Sequence, residues 1–223
     1  MANMPHRVDR ATLPARPHLN LENALWEEGL ELVAGLDEAG RGAWAGPVAA
    51  AAVVLPHRPS WLHRSLGGVR DSKRLSPSKR EHLCELISNV AVSVGVGCAD
   101  SAEVDACGLM AATRTAMRRA VTALDSPPQY LLVDAVNLRP ELELPQVSMY
   151  FGESISLSVA AASIVAKVHR DRMMRALDRK YPGYGFEVHK GYGTRAHRAA
   201  VTRLHPCPVH RCSFRPIAAF LRA

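Results

Sequence analysis

Aromatic residues make up only 5% of this 223-residue chain, and no apolar run reaches the roughly 20 residues of a membrane-spanning helix. The N-terminal stretch lacks a signal-peptide core, so no membrane is expected and the location read from it is cytoplasmic. Five cysteines, an odd number without framework spacing, argue against a disulfide scaffold and for a reducing compartment. The phosphate loop G-x-x-x-x-G-K-[ST], the G-x-S-x-G elbow, H-E-x-x-H and internal repeats are all absent. Acids are missing too, since no Asp or Glu occurs between Glu38 and Asp71.

What is present points elsewhere. A hydrophobic content of 48% over this length suits one domain that buries its own core. The formal charge of +7 favours a polyanionic partner. Residues 1–20 hold three prolines and scattered basic groups without periodicity, so they read as a flexible tail ahead of a single domain over residues 21–223.

The chain is organised around Leu36 to Pro47, LDEAGRGAWAGP, at the end of an apolar run from Leu30. Adjacent carboxylates at a strand end suit a hard divalent cation, which takes oxygen ligands. The glycines around Arg41 let another backbone come close. Successive strand residues face opposite sides, so the strand is expected to break at Glu38 if both acids share one ion. Gly40, Gly42 and Ala45 also fit G-x-G-x-x-A, but Gly46 and Pro47 follow where a dinucleotide motif opens a helix, and the ribose-binding acid is missing.

In order, the pattern predicts a short helix over 21–29 and strands over 30–36 and 48–55 joined as a hairpin. A loop over 56–70 follows, with Lys73 in a loop before a helix capped by Ser76 and Pro77. A strand over 91–98 precedes a helix over 102–124, and a short strand stops at Asp134, at the strand end where α/β sites assemble. A strand over 144–151 leads to a long helix over 156–180, on which Asp171 shares a line with apolar residues; Lys167 and Arg175, each four residues away, are its ordinary helical ion-pair partners. Residues 183–194, GYGFEVHKGYGT, interleave aromatic and basic groups, which suits stacking on sugars or bases; otherwise such rings plug a core. His205, Cys207, His210 and Cys212 are too cramped for zinc without a distant second pair.

Taken together, DEAGRG, the DSK of Asp71 to Lys73, the strand ending at Asp134, AASIVAKVHRD to Asp171, YPGYGFEVHKGYGT and PVHRCSF closely resemble bacterial ribonuclease HII over residues 33–216. The resemblance implies a ribonuclease H-like α/β fold, a central mixed β-sheet flanked by helices with a C-terminal helical segment. It implies metal-site acids at Asp37, Glu38, Asp134 and Asp171. Gly40, Arg41 and Gly42 then sense the ribose 2′-hydroxyl, Tyr192 stacks on the following deoxyribose, and Lys73 lies near the scissile phosphate. The implied partners are RNA/DNA hybrids and duplex DNA with embedded ribonucleotides, cut with two Mg2+ or Mn2+ ions about 4 Å apart by a monomer without an organic cofactor. Two departures stand out: Ala135 replaces the usual Gly after the strand acid, and Phe151, Glu153 and Ile155 stand where the family usually has KGDxKS. A junction resolvase of the same fold, or a hybrid-binding protein that does not cut, are the alternatives.

Overall fold

The protein is described by a computed structural model covering residues 12–57, 59–139 and 141–222. A hairpin starts the sheet: β1 (Val33–Ala39) runs antiparallel to β2 (Val48–Val54), with Asp37 opposite Ala51 and Glu38 opposite Ala50. The strand therefore does not break at Glu38. β3 (Ser93–Ala99) pairs antiparallel with β2, whereas β4 (Tyr130–Asp134) runs parallel to β1 and β5 (Gln146–Met149) parallel to β4. The order β3-β2-β1-β4-β5 is the expected mixed sheet.

β1 and β2 are buried over nearly their whole length, so both faces must be covered. On one face lie α1 (Asn20–Glu27), α3 (Pro77–Val90) and the long α7 (Leu157–Lys180). Gly35 lets α7 come close, since a Cβ there would sit 2.2 Å from the Ser158 carbonyl carbon. The other face is covered by α5 (Leu109–Thr122), which follows α4 (Ser101–Cys107). The expected single helix over 102–124 is broken at Gly108, whose φ of 82° no helix accepts. The short helices α8 (Phe186–His189), α9 (Arg195–Leu204) and α10 (Arg215–Leu221) enclose a third cluster around Phe186, Val201 and Ile217.

Three further expectations need correction. The 56–70 loop contains α2 (Pro59–Ser65), and the strand over 144–151 shortens to β5 because α6 (Gly152–Ile155) follows. The tail expectation for residues 1–11 falls outside the described residues, but its last part is docked. There His18 exchanges backbone hydrogen bonds with Ile155 and Leu157, and Leu19 is buried. Glu22 explains the docking: its buried carboxylate accepts from the Ser158 amide at 3.0 Å and from the hydroxyls of Ser156 and Ser158, at the positive end of α7. Among the described residues, no helix is long and apolar enough to cross a membrane.

Candidate active site

Parallel pairing of β1 with β4, with Leu36 opposite Val133, brings the next residue of each strand, Asp37 and Asp134, to the same sheet end. Strand alternation turns Asp37 toward α7, where the Ser163 hydroxyl favours its ionised form and the Glu38 amide donates to its Oδ1 at 2.6 Å. Glu38 lies on the alternate face and is held by Arg41, whose Nη1 donates to its Oε1 at 3.0 Å. The Gly152 amide, at the start of α6, donates to Asp134 Oδ1 at 2.8 Å. One residue on, Glu153 is buried and lies close enough to Asp134 for each carboxyl group to affect the ionisation of the other.

Four carboxyl groups so crowded resist ionisation. Burial, then Glu38 and Asp134, hold Asp37 well above the ordinary carboxylate range. Burial also raises Glu38, Asp134 and Glu153, with Asp134 adding to the effect on Glu153. One oxygen each of Glu38 and Glu153, Oε2 in both, is buried without a hydrogen-bond partner among the described residues. Lys73 answers this charge: burial alone would depress its ammonium, but Asp71, Glu153, Asp37 and Asp134 outweigh burial and raise it.

Asp171 does not join this group. It lies eight residues after Ser163 on α7, about 12 Å further along the helix. Its carboxylate is occupied instead by Lys167 Nζ at 2.7 Å and Arg80 Nη2 at 3.7 Å. Of the two helical partners, only Lys167 pairs with it, because Arg175 reaches across to Glu81 at 2.7 Å. The apolar line that made Asp171 look buried beside a metal is real, but burial is met by ion pairing. Glu153, buried beside Asp134, is an acid that the sequence reading did not single out as a site residue. Reading its segment for the lysines it lacks passes over the acid it carries.

Asp37, Glu38, Gly40, Arg41, Gly42, Lys73, Lys167 and Tyr192 line one cleft of about 290 Å³. Lys73 sits in a 3-10 turn (Ser72–Arg74) rather than a loop, and the Asp71 side chain caps it by accepting from the Lys73 amide at 2.9 Å. Tyr192 keeps 36% of its surface exposed, whereas Tyr184 and Phe186 stack on each other and plug the C-terminal core. The glycine-arginine turn is pinned from beneath by two buried arginines. Arg170 donates to the carbonyls of Pro47 and Ala45 at 2.9 and 3.2 Å, and Arg211 to those of Gly46 and Arg41 at 2.8–3.1 Å. Nothing in the local sequence marks these arginines, since each reaches a segment more than a hundred residues away.

Comparison with known proteins supplies the family. The family model for ribonuclease HII matches residues 34–217. A ribonuclease HII of Geobacter metallireducens is 53% identical over 196 residues, spanning 88% of this chain and 89% of that one. One of Geobacillus kaustophilus is 48% identical, spanning 92% and 76% respectively. Among solved structures, the ribonuclease H2 of Pyrococcus horikoshii superposes with a TM-score of 0.71 at 25% identity, over 85% of this chain and 97% of that one. The ribonuclease HII of Archaeoglobus fulgidus, solved in complex with PCNA, gives 0.70 at 27% identity, over 82% and 95%. On the family match, those identities and the shared fold, this chain belongs to the ribonuclease HII family and is a ribonuclease H-type endonuclease.

Proposed function

We propose that the enzyme hydrolyses the phosphodiester on the 5′ side of a ribonucleotide, in RNA/DNA hybrids and in duplex DNA with embedded ribonucleotides, leaving 3′-hydroxyl and 5′-phosphate ends. What supports this reading is that Asp37 and Asp134 come to the same end of two paired strands, with Glu38 near enough to raise both and Glu153 near enough to be raised by Asp134. Asp37 and Glu38 also line the cleft of the Gly40–Gly42 turn, although among the described residues no three acids are gathered closely enough to make a ready metal site. An all-oxygen set whose members repel one another, two with an unpartnered oxygen, fits Mg2+ or Mn2+. Glu153 thereby takes the place that the sequence resemblance gave to Asp171. When bound, two such ions supply an activated water and neutralise charge at the leaving 3′-oxygen.

The chain's own groups do the rest. Lys73, kept protonated by the surrounding acids, meets the scissile phosphate. The backbone of Gly40, Arg41 and Gly42 offers donors and acceptors to the 2′-hydroxyl, which DNA lacks, so recognition is of the sugar and not of base sequence. Tyr192 presents its ring to the next deoxyribose. Arg41, tied to Glu38, couples that turn to the acids.

The test is a duplex carrying one ribonucleotide, incubated with and without Mn2+. Cleavage 5′ to the ribonucleotide that needs the ion and is lost in Asp37→Asn, with hybrid binding retained, is the expected result. Equal cutting of an all-DNA branched junction would favour a resolvase, and binding without cutting a hybrid-binding protein.

A further inference from the structure

Arg170 is fully buried, an expensive place for a guanidinium, and its surroundings explain why it is there. Its Nε donates to the Pro47 carbonyl and its Nη2 to that of Ala45, the far end of the turn that begins at Gly40. Gly40 lies flat against it: with φ at 93°, a Cβ there would fall 1.8 Å from Arg170 Nε. On another side the guanidinium carbon sits 5.3 Å from the centroid of the Tyr192 ring, within the range of a cation–π contact. One side chain thus touches the turn at Gly40, holds its end at Ala45 and Pro47, and supports the ring.

We infer that Arg170 is a positioning residue that fixes the spacing between the glycine-arginine turn and Tyr192, and through that spacing sets selectivity for a lone ribonucleotide followed by a deoxyribonucleotide. The inference rests on the substrate contacts proposed above. A lone ribonucleotide offers one 2′-hydroxyl and one adjacent deoxyribose, so turn and ring must engage both at once. A continuous hybrid offers a ribose at every step of its RNA strand and tolerates a displaced ring. Lysine in place of Arg170 keeps the charge but loses the planar fork that spans two carbonyls and lies under a ring.

The experiment compares kcat and KM of wild type, Arg170→Lys, Tyr192→Ala and the double variant on a duplex with one ribonucleotide and on a continuous hybrid. Displacement of about 1 Å costs up to about 100-fold in rate. Arg170→Lys is therefore expected to lower kcat/KM on the single-ribonucleotide duplex at least tenfold more than on the hybrid. That extra loss should vanish in the Tyr192→Ala background. Equal losses on both substrates, or the same extra loss without Tyr192, overturn the inference while leaving Tyr192→Ala to report on the stacking contact itself. If Tyr192→Ala alone leaves the substrate ratio unchanged, stacking and inference both fall.

Should Arg170→Lys not fold, the folded wild type still decides through NMR. The Arg170 Nε–H resonance should exchange slowly with water and shift on Tyr192→Leu, a change at a partly exposed site. A rapidly exchanging signal, or one unmoved by loss of the ring, overturns the inference.

Discussion

Ser72 and Ser163 share a buried hydrogen bond of 2.9 Å, and through it the turn that carries Lys73 is fastened to the helix that faces Asp37. Ser163 also lies by Asp37 and favours its ionised carboxylate, so one hydroxyl serves an acid and ties down the neighbouring lysine's support. Groups that orient metal ligands in this way are worth 10- to 100-fold in metal affinity. Ser163→Ala should weaken Mn2+ binding, measured by calorimetry, by about that factor, with the helix content unchanged because alanine suits a helix. Undiminished Mn2+ affinity would remove Ser163 from the site's support.

Glu153 and Asp171 make opposite predictions. Glu153→Gln removes a charge that faces Asp134 and Lys73, so Mn2+-dependent cleavage should fall by two orders of magnitude or more, as expected when a metal ligand is lost. The same variant should be no less stable without metal, because it relieves repulsion. Asp171→Asn leaves Lys167 and Arg80 short of a buried partner, so it should cost about 2 kcal/mol or more of stability while cleavage falls far less. Rate against Mn2+ concentration and urea midpoints, taken for both variants, separate the roles. Comparable loss of cleavage in both would return Asp171 to the catalytic group.

How much of this was legible along the chain depends on whether the determinant is local. The β1–β2 hairpin, the Ser76–Pro77 helix start and the strand end at Asp134 follow from turn residues, caps and periodicity, and the fold agrees. Asp37 and Asp134 could be singled out because each follows directly on an apolar run. The proposed exchange of Glu153 for Asp171 could not be read that way. Glu153 sits in a four-residue helix with no periodic signal, and its place near Asp134 comes from the parallel β4–β5 pairing that sets Asp134 opposite Met149. Asp171 gave a clear periodic signal, but periodicity reports burial and not the identity of the buried partner. Strand alternation was applied correctly to Asp37 and Glu38, yet the strand did not need to break. Arg41 draws Glu38 in from the opposite face.

A histidine cluster under the Tyr192 loop should make the protein acid-sensitive. His197 accepts at Nε2 from His210 Nε2–H at 3.1 Å and donates from Nδ1 to the Tyr192 carbonyl at 3.0 Å. His210 Nδ1 accepts from the Cys207 amide at 3.0 Å, and His189 Nδ1 from that of Gly191 at 3.2 Å. Each acceptor nitrogen is in use, so protonation breaks the network. Burial first, then His189, lowers His197 to about 4, and burial lowers His189 and His210 too. With the folded value depressed, the unfolded chain takes up the proton first as pH falls. Stability from His197 is therefore complete above about 6.5 and is lost progressively down to about 4. The raised site carboxyls contribute the opposite slope, so the measurement is a difference. Urea midpoints of wild type and His197→Phe at pH 5, 6 and 7 should show a steeper fall for wild type. Parallel curves would show that His197 does not titrate differently on folding.

Ala135 supplies the final prediction, because its departure from the family's glycine has a visible conformational cost. The chain must turn sharply after Asp134: the Val136 amide donates back to the Asp134 carbonyl at 2.6 Å, and the Ala135 amide to Met149 at 2.9 Å. That turn sets φ of Ala135 at 51°, the left-handed region, which costs a residue with a Cβ about 1–2 kcal/mol. Glycine relieves that strain but gains freedom in the unfolded chain worth about 0.4–1 kcal/mol. Ala135→Gly should therefore stabilise by up to about 1 kcal/mol, or roughly 2–4 °C in Tm for a chain of this size. It should leave the hydrogen bond from Gly152 to Asp134, and with it the cleavage rate, unchanged. Chemical and thermal denaturation of the metal-free protein measure this. A fall in midpoint would mean that the turn is already relaxed around alanine, and that the methyl group contributes packing which outweighs its strained backbone.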